Sequence, residues 1–176
     1  MRKVVLTIAL CLLGTMPAFA ADYIDRYVPA AEIVGEGRLR VFMLDVYDAE
    51  LYAPNGEFAS GEPLALRLSY LRSIPGKKIA DRSLDEIKDQ ERWDDGKLEA
   101  WHQEMLELFP DVEEGDVLTG VLTKSGETLF FKDGEKIATV EDPEFGTAFF
   151  NIWLSEGTNS PTLRKKLLGK LAEANL

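Results

Sequence analysis

Apolar positions recur along this chain with two different periods, and each change of period marks an element. The run "LRVFMLDVYDAELYA", inside Ile33–Ala53, puts Val41, Met43, Tyr47, Ala49 and Leu51 on one parity and Phe42, Leu44, Val46 and Tyr52 on the other. Apolar residues on both parities predict one long strand, central in its sheet and covered on both faces. Pro54-Asn55-Gly56 is turn chemistry. Leu64–Arg72 predicts the next strand, with Leu64, Leu66, Leu68, Tyr70 and Arg72 on one face. The period then lengthens. Within Pro75–Ile87, Ile79, Ala80, Ser83, Leu84 and Ile87 cover one arc at about 100° per residue. A second helix is predicted over Asp95–Leu108, where Leu98, Trp101, Met105 and Leu108 share a face. Three short β-rich runs follow, "DVLTGVLT", "TLFF" and "KIATV", and Asp133-Gly134 between the last two is a type I′ hairpin signal. Asp142-Pro143 and Ser160-Pro161 each place a capping residue before a proline, the start signal of a helix. Phe145, Phe149, Ile152 and Trp153 make the first stripe, and Leu163, Leu167 and Leu171 the second. Strands, two helices, strands, two helices is the order of an α+β fold with helices layered on an antiparallel sheet.

The first twenty residues have a different character. Arg2 and Lys3 precede an apolar run from Val4 to Leu13, and Ala18-Phe19-Ala20 fits a small-x-small cleavage site. These are the three ordered parts of a secretory signal. The expectation is a leader over residues 1–20, a single domain over 21–176, and a periplasmic location. The apolar run is shorter than the roughly 20 residues a membrane span needs, and no later stretch reaches that length. The chain carries a formal charge of −11, and cleavage would remove two cations and make it more acidic. That balance argues against nucleic-acid binding, which rests on Lys and Arg. Cys11 is the only cysteine and lies within the leader, so disulfides and thiolate chemistry are not expected in the remainder. His102 is the only histidine, with no partner at ligand spacing, so no metal site or cofactor is expected.

Four segments, "VGEGRLRVFMLDVYDAELYAPNGEF", "LALRLSYLRSIPGKKIADRS", "LFPDVEEGDVLTGV" and "FGTAFFNIWLSEGTNSPTLRKKLLG", resemble in order the bacterial chalcone-isomerase-like proteins. The resemblance runs from about Ile33 to Leu171. It implies an open-faced β-sandwich, a large antiparallel sheet covered by a layer of helices with a cleft between them. It does not imply one activity. Plant members of the fold close a flavanone ring, related proteins bind fatty acids, and others do not catalyse, so the site must decide.

Carried onto this chain, the plant catalytic positions fall on Tyr47, Ile79, Arg82 and Glu86. Isoleucine replaces a tyrosine, an acid replaces an asparagine, and arginine is no direct substitute for lysine. Arg82 and Glu86 are four apart and can pair on the helix surface. The resemblance therefore points to binding rather than catalysis. Tyr70 and Arg72 end an apolar strand face, and Arg40 and Tyr47 lie on the neighbouring long strand. With Arg82 and Trp153 they are the candidate ligand-binding residues, suited to a small apolar or amphipathic ligand, fatty-acid-like or an aromatic acid. The competing expectation is that Arg72 pairs with an acid, Asp45 for example, and that both tyrosines are core residues with satisfied hydroxyls. The alternative functions are an isomerase acting on an enone-like substrate with Arg72 or Arg82 at the oxyanion and Tyr47 or Tyr70 as proton donor, and a periplasmic protein whose acidic surface binds a partner.

Overall fold

The computed structural model describes residues 22–90 and 93–170. The predicted leader and Leu171 lie outside the described residues. A short helix, α1 (Asp22–Asp25), precedes two strands, β1 (Ala31–Val41) and β2 (Leu44–Pro54). The predicted single strand over Ile33–Ala53 is thus a hairpin, folded back at Phe42-Met43. Neither turn residue is Gly, Asn or Asp, so the usual signal was absent. Strand β3 (Leu64–Tyr70) is followed by α2 (Gly76–Gln90) and α3 (Asp95–Leu108). Strands β4 (Val117–Leu122), β5 (Thr128–Lys132) and β6 (Glu135–Val140) then complete the sheet, and α4 (Pro143–Leu154) and α5 (Pro161–Leu167) close the fold.

All six strands pair antiparallel with their sequence neighbours, in the order β1 to β6. Register stacks apolar rows across the sheet, as a side-chain period of two requires. Leu51, Leu66, Gly120 and Phe130 form one row; Ala49, Leu68 and Leu118 form the next; Tyr47 opposite Tyr70 ends the face. This face carries the main core, under α2 to α5. On the opposite face, Ala65, Val121, Leu129 and Phe131 are covered by Ile24 and Val28 from the segment around α1. The sheet is therefore covered fully on one side and only in its middle on the other. Strand β2 buries one parity, Tyr47, Ala49, Leu51 and Ala53, and leaves the other half-buried, instead of being covered on both faces.

Caps fix the helix entries. Asp94 accepts from the N–H groups of Gly96 and Lys97 at 3.0 and 3.2 Å, and Asp142 from Glu144 at 3.0 Å. Asp111 reaches across to the Gly76 N–H at the start of α2 (2.8 Å). Ser160 precedes α5 as expected, but its side chain makes no cap bond. Its N–H instead donates to the Thr158 hydroxyl at 3.1 Å. Helix α5 lies directly on the edge strand. A Cβ at Gly35 would sit 2.1 Å from the Lys166 carbonyl oxygen, so only glycine permits this approach.

Candidate functional site

Between the Tyr47–Tyr70 end of the sheet and helices α2 and α4 the fold leaves a cleft of about 690 Å³. Ligand sites span roughly 300–1,000 Å³. The floor is apolar, formed by Leu66, Leu68 and Phe130 from the sheet, and α4 contributes Phe149, Ile152 and Trp153 as a wall. Helix α2 forms the other wall because its arc is amphipathic: Ala80, Ser83, Leu84 and Ile87 are buried, with Ile79 beside them at the cleft. The mouth lies between the β1–β2 hairpin, through Arg40, Val41 and Phe42, and the exposed edge of α2.

Polar and charged groups also line this space. The Trp153 indole N–H donates to the Tyr47 hydroxyl at 2.8 Å. The Tyr47 and Tyr70 rings meet edge-on at 5.7 Å. Burial pushes both hydroxyls well above the ordinary tyrosine range, so both stay protonated and act as neutral donors. Glu86 is buried, 8% exposed, with its carboxylate held by the Arg82 guanidinium and by Asn159 Nδ2, the latter at 2.9 Å. This corrects the expected surface pair: Arg82 is exposed, but Glu86 turns into the cleft wall. Arg40 pairs with Asp45 at the mouth.

Of the six candidate ligand residues, the fold gathers Arg40, Tyr47, Tyr70, Arg82 and Trp153 around the cleft. Arg72 stands apart. Strand β3 ends at Tyr70, so the alternation that would have carried Arg72 onto the cleft face stops two residues short, and Arg72 is exposed. The expected Arg72–Asp45 pair is not formed either. Asp45 is taken by Arg40 and by Arg38, whose Nη1 lies at 2.9 Å. The positions matching the plant catalytic residues, Tyr47, Ile79, Arg82 and Glu86, all line the cleft. His102 joins α3 to α2 through Asp81 at 2.9 Å. The sequence reading missed Lys78, which also lines the cleft and makes no salt bridge among the described residues. The four-residue spacing of Lys78, Arg82 and Glu86, which puts them on one line of α2, was the available signal.

A six-stranded antiparallel sheet under a helical layer, with an apolar cleft between the two, defines an open-faced sandwich of the small-ligand-cleft class. The chain belongs to the chalcone isomerase-like family, whose profile matches residues 32–169. Among solved structures it is similar to the Arabidopsis thaliana fatty-acid binding protein AtFAP1, with a TM-score of 0.62, 11% identity, and coverage of 82% of this chain and 90% of that one. At that identity the likeness is one of fold. Over 89 residues the chain is 33% identical to the mouse mitochondrial arginine-hydroxylase NDUFAF5, a match spanning 51% of this chain and 26% of that protein. The chain thus covers about a quarter of that relative's length.

Proposed function

We propose that this protein is a non-catalytic carrier of a small amphiphile, fatty-acid-like or an aromatic acid, whose apolar body fills the cleft and whose acidic head rests at the α2 edge. One observation carries the reading: the sheet floor and the α4 wall of the cleft are mainly apolar, while Lys78 stands at its lining without an ion-pair partner among the described residues. Arg40 and Arg82 already hold the carboxylates of Asp45 and Glu86. Lys78 is therefore the cation with charge to spare for a carboxylate head. A fatty-acid binding protein with the same fold supports the ligand class.

Catalysis of the plant type is a poorer fit. Ile79 offers no hydroxyl, and Glu86 places a buried acid in the cleft wall, where it would repel a phenolate. The ordered leader pattern of residues 1–20 supports export to the periplasm. N-terminal sequencing of the protein isolated from the envelope should then begin at Ala21.

The test is calorimetric titration with fatty acids of increasing chain length and with aromatic acids, read alongside Trp153 emission. Saturable binding that strengthens with chain length is expected, weakened roughly fivefold or more by Lys78→Glu, the scale of a partly exposed charge pair. Absence of heat and of any emission change across both ligand classes overturns the reading. Enone cyclisation faster than in buffer alone would replace it with the isomerase alternative.

A further inference from the structure

A two-residue hairpin loop with positive φ at both positions calls for Asn, Asp or Gly. The fold meets that demand in the ordinary way at Asp133-Gly134, with φ of 51° and 85°. At the β1–β2 turn the same geometry is made by Phe42 and Met43, with φ of 48° and 68°. Left-handed backbone is unfavourable for bulky L-residues. Packing does not compensate, since the two side chains are 96% and 95% exposed. Val41 and Leu44 on either side are exposed too. Four consecutive apolar residues therefore project from one end of the sheet, in a turn that polar residues would form more easily. Strain of this kind collects at functional sites.

We infer that this tip is a lipid anchor, which seats Phe42 and Met43 in the interfacial layer of a zwitterionic bilayer. A stable protein–protein contact uses about 20–30 residues a side. Four residues on a narrow ridge fall far short of that, whereas a bilayer demands no complementary shape. The charge around the tip fits a zwitterionic surface. Arg38 and Arg40 are interleaved with Asp45 and Asp48, so cations and carboxylates stand together at headgroup height. The chain's net charge of −11 opposes an anionic surface. The tip is also continuous with the cleft, because Val41 and Phe42 line its mouth. An anchored tip would hold that mouth against a source of apolar ligand. Ligand exchange with the bilayer rests on the carrier reading above; anchoring does not.

The experiment is flotation of the full chain with phosphatidylcholine vesicles, so that the N-terminal residues contribute equally to every variant. Wild type should float, and Phe42→Asn/Met43→Gly should partition about tenfold less, as expected when apolar burial of this kind is lost. The difference should change little with salt. A Met43→Trp variant should gain blue-shifted emission over wild type when vesicles are added. Equal partition of wild type and the double variant, or no shift at Met43→Trp, overturns the proposal. So does concentration-dependent self-association that the double variant abolishes, since the tip would then belong to a second copy. The two readings separate cleanly. A chain that binds no amphiphile in solution, yet loses vesicle partition with the tip, keeps the anchor and sinks the carrier.

Discussion

Exchanging Phe42-Met43 for Asn-Gly should make the protein more stable while removing its most exposed apolar residues. Holding an L-residue in left-handed backbone costs roughly 1–2 kcal/mol. Asparagine tolerates that region better and glycine enters it freely, although glycine returns about 0.4–1 kcal/mol through the entropy of the unfolded chain. Both side chains are almost fully exposed, so their removal forfeits little buried area. The balance is a gain of about 1–2 kcal/mol. In a chain of this size each kcal/mol moves the thermal midpoint by about 2–4 °C. Urea unfolding should show a higher midpoint with an unchanged slope. The reciprocal exchange, Asp133→Phe with Gly134→Met, should lose more, roughly 2–4 kcal/mol. There the strain is created and the bond from the Val117 N–H to Asp133 Oδ1 (2.9 Å) is lost as well. An Asn-Gly variant no more stable than wild type would refute the reasoning, because it would mean that Phe42 and Met43 are held by contacts that offset their backbone.

Trp153→Phe should keep the packing of α4 on the sheet but remove the indole donor to Tyr47, lowering stability by about 0.5–1.5 kcal/mol in urea and changing ligand affinity more than stability. Asp142 should show its effect in acid. Partial burial works to raise its pKa, but the Trp101 indole, the Glu144 N–H and the charge of Lys97 outweigh that and hold it below the ordinary carboxylate value. A depressed folded-state pKa gives stability that is present above the unfolded value of about 3.9 and lost as pH falls through the folded value. The urea-midpoint gap between wild type and Asp142→Asn should therefore be constant from pH 7 to about 5 and close below about 4. A gap that widens in acid would contradict the assignment.

Most of the architecture was legible because it is written in local signals. Asp142-Pro143 and Asp133-Gly134 state a helix start and a hairpin in chemistry that little else satisfies, and the arc through Ala80, Ser83, Leu84 and Ile87 states which face of α2 is buried. The family resemblance supplied the cleft. What failed was where backbone geometry or strand termination overrides pattern. Phe42-Met43 read as strand because both are apolar and continue the runs on either side, and only the folded backbone shows a turn. Arg72 continued an alternation on paper past the point where pairing with β2 and β4 had ended. The exposed edge of α2 was read from Arg82 and Glu86 alone, the two charged residues that fall on the family's catalytic positions. Lys78, one turn earlier on the same line, belongs to no family position.

That line on α2 also decides how a ligand can lie. Glu86 is buried and depends on Arg82 and Asn159. Taking a partner from that buried carboxylate costs about 1–3 kcal/mol, so an incoming carboxylate must compete with an acid that Arg82 and Asn159 already hold. It would also have to approach the Glu86 anion, whose charge already helps to raise the Tyr47 hydroxyl after burial has done so. On the carrier reading, the acidic head is thus kept from the Tyr47 end and directed to Lys78. The Tyr47 and Tyr70 hydroxyls, kept neutral, remain hydrogen-bond donors. The same geometry weighs against plant-type chemistry in the proposed carrier. Cyclisation needs a stabilised phenolate, and this chain places the buried Glu86 carboxylate in the cleft wall.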